Sequence, residues 1–122
     1  MPVFRREQQQ IHSMQGNHIA GTATAASGAQ QVEMWHGRMD AQTATPPHRH
    51  NGEEVVLFLR GSGRATVGAT EVRYRAGDTL ILPADEVHQI FAEEDSEFVS
   101  AMPIGGTIKL PDGTVMDLPW RK

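Results

Sequence analysis

The sequence predicts an all-β protein, an antiparallel β-barrel or jelly roll built as one domain over residues 1–122. Three observations predict it. From Gln31 onward the chain divides into seven or eight short β-prone runs at regular spacing, each closed by a turn signal. No stretch carries an apolar stripe at helical period. With 122 residues, 39% of them apolar and 21% charged, the chain can build one core without staples, since this length buries roughly 65% of its unfolded surface.

The elements follow in order. Residues 1–31 form an N-terminal extension that is weakly apolar and rich in Gln, Thr, Ala and Gly, in which Ile19 to Ala26 reads as a small-residue edge strand. The barrel spans 32–102. Val32 to Met39 is its first strand, and Glu54 to Arg60, apolar on both parities, reads as a strand buried on both faces. Gly61-Ser62-Gly63 turns the chain into a short strand from Arg64 to Val67, and Gly68-Ala69-Thr70 turns it back along Glu71 to Arg75. Thr79 to Leu82, Glu86 to Ala92 and Glu97 to Met102 complete the set. The tail 103–122 carries Gly105-Gly106, Pro111-Asp112-Gly113 and Pro119, and reads as irregular or as a final hairpin.

Composition excludes several function classes. A net charge of −4 lacks the basic footprint that nucleic acid requires. With no cysteine there is no disulfide, thiolate site or Cys nucleophile. The start Met1 to Gln10 has no apolar run after its charges, and the longest apolar run, Val55 to Leu59, is too short to span a bilayer. The expectation is a cytoplasmic protein with no membrane or nucleic-acid partner.

One constellation carries chemistry. His48-Arg49-His50 places two imidazoles on one face of an extended segment, because side chains alternate with period 2. Asn51-Gly52 is a turn dipeptide that can swing the Glu54 carboxylate back toward them. With His88 these residues offer three neutral nitrogens and one anionic oxygen, a donor set for a borderline-hard divalent ion. Four protein ligands on an octahedral ion leave two positions for substrate, water or dioxygen. Such a site carries one net positive charge and favours an anionic or enolisable small molecule.

Over residues 37 to 102 the chain resembles the cupin family. The first cupin motif, G-x5-H-x-H-x3,4-E-x6-G, is matched by His48, His50, Glu54 and Gly61, with Gln42 where its leading Gly falls. The second, G-x5-P-x-G-x2-H-x3-N, is matched by Gly77, Pro83 and His88, with Asp85 and Ala92 at its second Gly and its Asn. The resemblance implies a small β-barrel with one divalent metal ion per chain inside its mouth, Fe2+ first, with Mn2+, Ni2+, Zn2+ or Cu2+ as alternatives. It also implies a homodimer formed through N-terminal strands and sheet edges. Cupins include dioxygenases, isomerases, decarboxylases, lyases and ligand sensors, so the fold alone names no reaction.

Parity assigns the other candidates. Val56 and Phe58 share parity with Glu54, and Ile90 with His88, so all three are expected on the substrate pocket. Glu54 is also a candidate acid/base. His36 and Tyr74 are the other candidate catalytic groups; the alternative for His36 is a surface residue and for Tyr74 a core one. The leading functional reading is a dioxygenase-like enzyme acting on a small-molecule substrate. The alternatives are a non-redox isomerase or lyase acting on sugars or hydroxy acids, and a non-catalytic small-molecule binder. Phe4, Ile11, Ile19, Ile108, Leu110, Val115, Leu118 and Trp120 lie in the flanking segments, which lack a core of their own and are therefore expected in the dimer interface; the alternative is that both termini wrap their own barrel.

Overall fold

A computed structural model describes residues 3–122. The strands are β1 (His12–Met14), β2 (Asn17–Ala23), β3 (Val32–Met39), β4 (Thr43–Ala44), β5 (Arg49–His50) and β6 (Glu54–Arg60), then β7 (Ser62–Val67), β8 (Thr70–Arg75), β9 (Thr79–Leu82), β10 (His88–Ala92), β11 (Ser96–Pro103) and β12 (Ile108–Lys109). They form a six-stranded sheet in the order β1-β2-β3-β11-β6-β9, a four-stranded sheet in the order β4-β10-β7-β8, and the pair β12-β5. All pairings are antiparallel, and the fold is the expected jelly roll. Among the described residues the only helical segments are three 3-10 turns, at Arg6–Gln8, Ala25–Ser27 and Pro119–Arg121. None is long and apolar enough to cross a membrane.

The central runs form the expected strands, with small shifts at their ends. Gly61 alone makes the turn after β6, at φ +91°, and β7 already begins at Ser62. Two expectations are corrected. The Ile19–Ala26 segment is not an edge: β2 lies between β1 and β3, because the hairpin Gln15-Gly16 folds His12–Met14 back to take the edge. Nor is β6 buried on both faces. Val56 and Phe58 are buried, whereas Leu57 and Leu59 are 41% and 43% exposed. Their apolar character faces outward on the large sheet, where Val55 stands opposite Ile81 of β9.

Two apolar clusters fill the space between the sheets. One is closed and contains Met39, Phe58, Tyr74, Leu82, Ala92 and Phe98. Phe58 stacks on Tyr74 with ring centroids 3.7 Å apart and reaches Phe98 at 6.2 Å. Gly37 makes room for this packing, since a Cβ there would run into the Phe98 ring. The other cluster lies toward the chain termini and contains Ile19, Trp35, Met102, Ile108, Leu118 and Trp120. Trp120 meets Trp35 edge-on at 5.2 Å. The tail is tied down by Arg121, whose Nε donates to Glu33 Oε2 at 2.9 Å, and the same buried carboxylate accepts from Trp35 Nε1 at 2.6 Å.

Candidate metal centre and adjoining cavity

The four predicted ligands come from three places in the chain and meet between the sheets. His48 precedes β5, His50 ends it, Glu54 opens β6 and His88 opens β10. Backbone pairing sets their approach. His48 N donates to His88 O at 3.0 Å and His88 N to His48 O at 2.8 Å, so these two rings leave from directly opposed residues. His50 is held by pairing with Ile108 of β12, and its carbonyl accepts from Asp85 N at 2.6 Å. Asp85 reaches that position with φ +64°, and Gln42, which donates to Ala92 O at 2.7 Å, does so at φ +66°. Both are positions where the family motif has glycine, so the departures there are met by left-handed backbone rather than by a different loop path.

The donor atoms of His48, His50, Glu54 and His88 lie within 4.8 Å of one another. His88 Nε2 is 3.2 Å from His48 Nε2 and 3.4 Å from Glu54 Oε1, and His50 Nε2 is 3.2 Å from the same oxygen. Neighbouring ligands of an ion with bonds of about 2.1 Å stand about 3.0 Å apart, so the cluster has the right size for one ion. The hydrogen-bond state agrees. His48 Nδ1 donates to Pro46 O at 2.6 Å, which leaves Nε2 with its lone pair turned toward His88. His50 Nε2, although close to Glu54, makes no hydrogen bond. Two imidazole nitrogens facing each other need a proton or a cation between them, and a bound ion would displace that proton.

The electrostatics favour the ligating forms. Burial pushes the His50 pKa down from 6.5 to about 4, against the opposing pull of Glu54. Burial, with the charge of His88, also lowers His48. For Glu54 burial acts to raise the pKa, but the hydrogen bond from His88 and the neighbouring imidazoles outweigh it and hold the carboxyl below its ordinary value. Neutral imidazoles beside an ionised carboxylate are what a divalent ion binds.

Beside the cluster lies a partly open cavity of about 130 Å3, with His48, Glu54 and His88 on its lining. Its walls are mainly apolar, including Trp35, Ile90, Phe98, Leu118 and Trp120. Of the three pocket residues expected from parity, Ile90 is on this wall. Val56 and Phe58 are not: at 1% and 0% exposure they belong to the closed cluster. They share the inward face with Glu54, but the strand carries them past the site into the packed end of the barrel.

The candidate catalytic groups His36 and Tyr74 also lie elsewhere. Glu33, Trp35, Gly37 and Met39 are the buried residues of β3, so His36 faces outward, where its Nε2 meets Glu97 Oε2 at 2.6 Å. Tyr74 sits in the closed cluster, its hydroxyl hydrogen-bonded to Ser96 Oγ at 2.9 Å and its pKa raised by burial. The residues missed were those of the terminal segments, Asn17, Met116, Leu118 and Trp120, which wall the cavity. For Leu118 and Trp120 the only signal was an apolar side chain in a segment without a core of its own, and Asn17 gave no signal.

The model of the cupin domain family (Cupin_2) matches residues 35–102. The chain belongs to the cupin family. Two maize relatives are similar to this cupin in sequence. Auxin-binding protein 4 of Zea mays is 28% identical over 109 residues, covering 81% of this chain and 53% of the relative. Auxin-binding protein 5 of Zea mays is 30% identical over 96 residues, covering 70% and 64%. The cupin therefore spans between about half and two thirds of the length of these relatives. Among solved structures, a cupin-2 domain from Rhodospirillum rubrum superposes with a TM-score of 0.77 at 17% identity, covering 89% of this chain and 79% of that one. That likeness shows the shared fold.

Proposed function

We propose that this cupin binds one divalent metal ion through His48, His50, Glu54 and His88, and uses it to hold a small, largely apolar organic anion in the adjoining cavity. The observation that carries this reading is the apolar cavity with the ligand cluster on its wall. Its volume of about 130 Å3 approaches the roughly 150 Å3 of an apolar cavity that takes benzene, so a single ring or a short branched chain fits. A bound ion supplies a positive centre for the anionic group. Trp35, Ile90, Phe98 and Trp120 supply the apolar contacts and keep water from the ligand. The maize relatives are named for binding auxin, which supports a role in small-molecule binding. The test is calorimetry of small aryl and alkyl carboxylates against metal-loaded and chelated protein. Chelation is expected to weaken binding more than tenfold, and equal affinity in both states would refute the reading.

Dioxygenase-like chemistry is the second reading, and one observation favours it over isomerase or lyase chemistry. Among the described residues, Glu54, His48 and His88 are the only titratable side chains on the cavity lining. Non-redox proton shuffling needs a separate acid or base, and the two candidates for that task, His36 and Tyr74, lie outside the cavity. In the dioxygenase reading Fe2+ would supply redox chemistry with dioxygen, and Glu54 would accept the substrate proton. Oxygen uptake by the Fe2+-loaded protein with enolisable or catecholic acids tests this.

A homodimer is also proposed. Of the flanking residues expected in the interface, Ile19, Ile108, Leu118 and Trp120 are buried in their own chain, whereas Ile11 and Val115 are exposed. The exposed apolar side chains of the large sheet, Val32, Met34, Leu57 and Ile81, lie on its outer face and offer a further surface for a second copy. Light scattering is expected to give twice the single-chain 13.4 kDa; the single-chain mass would refute it.

A further inference from the structure

Residues on the cavity lining carry buried polar atoms that the metal cluster does not use. Asn17 opens β2, lines the cavity and is 7% exposed. Its Nδ2 is directed to Ala44 O at 3.2 Å and Gln15 O at 3.5 Å. Both partners are carbonyls, which can only accept, so the amide is fixed with its NH2 toward them. Oδ1 is then left buried without a donor. Ser100, in the middle of β11, is 1% exposed, lines the same cavity, and its Oγ has no partner either. An apolar chamber with an orientated, unpaired acceptor discriminates between ligands by whether they can satisfy it.

We propose that Asn17 is the specificity-determining residue of the cavity, selecting organic anions that carry an O–H or N–H donor in addition to their anionic group. Hydroxyaryl and N–H heteroaryl acids are a chemical class that meets both requirements. The sign of the selection comes from Asn17 alone. Its free atom can only accept, whereas the Ser100 hydroxyl can donate or accept and so pairs with either kind of ligand. Trp120 Nε1, also unpartnered on this lining, can only donate and takes an acceptor. The inference rests on the proposed metal-held anion, which places the ligand in the cavity in the first place.

The experiment loads the protein with Zn2+, which is redox-inert, and measures calorimetric affinities for the ortho, meta and para isomers of hydroxyphenylacetate. Each is compared with the matching methylphenylacetate, in which a methyl group of similar size replaces the hydroxyl. At least one hydroxyl isomer is expected to bind about tenfold tighter than its methyl counterpart, the scale of one hydrogen bond to a buried group. In Asn17→Leu that preference is expected to vanish, each hydroxyl acid binding no tighter than its methyl counterpart, and Ser100→Ala should leave the preference in place. Equal binding within all three pairs would overturn the role of Asn17 and leave the metal-held anion standing. Persistence of the preference in Asn17→Leu would overturn it as well. Failure of all six acids to bind the Zn2+-loaded protein would overturn both readings together. Equal binding in the wild type needs no variant to overturn the role of Asn17, and Asn17→Ala, with the same loss of preference expected, takes the place of Asn17→Leu if that variant fails to fold.

Discussion

The two ends of this barrel are built from similar strands yet packed differently. At the closed end, inward side chains from β3, β6, β8, β10 and β11 meet one another, and Phe58 and Ala92 are at 0% exposure. At the other end the inward faces of β2, β3 and β11 meet the terminal tail, and a cavity lies between them. The buried polar atoms follow the same division. Tyr74 and Ser96 pair with each other in the closed half, whereas Asn17, Ser100, His50 and Trp120 each keep an unpaired atom in the open half. Strands paired across a short distance fill their interior. A wall made from chain termini closes over space without filling it, and that space is where a ligand can bind.

The largest expected effect tests this contrast directly. Phe58→Ala is expected to cost about 3–5 kcal/mol, because a stacked ring is lost from a site with no room to collapse. Leu118→Ala is expected to cost about 2 kcal/mol, since part of its surface already faces the cavity. Urea unfolding of both variants checks the ranking, and equal losses would mean that the open end is as tightly packed as the closed one.

Acid should act on the open end. The folded pKa of His50 is depressed to about 4 from 6.5, so the unfolded chain binds the proton more readily across that interval. Its contribution to stability is full above pH 6.5 and is lost as pH falls toward 4, about 3 kcal/mol at 1.36 kcal/mol per unit. Glu54, also depressed, adds a loss of the same sign as pH falls below the ordinary carboxylate value. Tyr74 has the opposite sign: its raised pKa removes stability only above pH 10. Chemical denaturation of chelated protein at pH 7 and pH 4.5 measures the difference, and a flat profile would contradict it. Restoring a saturating divalent ion at neutral pH should raise the melting temperature, by up to about 4 kcal/mol of stability at a thousandfold excess over Kd. The chelated chain should stay folded at 25 °C, because the closed cluster does not depend on the ion; circular dichroism reports this.

The smallest effect lies in the two left-handed residues, one near each end. Gln42→Gly, beside Ala92, should stabilise by up to about 1 kcal/mol, because a long side chain in this region is strained. Asp85→Gly, beside His50, should gain less, since Asp tolerates positive φ better. Thermal unfolding separates the two, and a larger gain at Asp85 would reverse this account of the backbone.

The sequence by itself determined the strands and the metal ligands, because both are written in local spacing. Period-2 alternation and turn residues mark Val32–Met39 and Glu54–Arg60, and the pattern of His48, His50, Glu54 and His88 marks the donor set. The tertiary structure decided what alternation leaves open. Parity tells which side of β6 holds Val56 and Phe58, but not how far along the barrel they lie from Glu54. Parity also leaves open which face of β3 turns inward, so His36 could be placed outside only once Trp35 was seen packed against Trp120. The cavity wall was beyond local reading altogether. Asn17, Leu118 and Trp120 meet β3 and β11 only after long loops close, and no short-range pattern records which distant side chains will share a space.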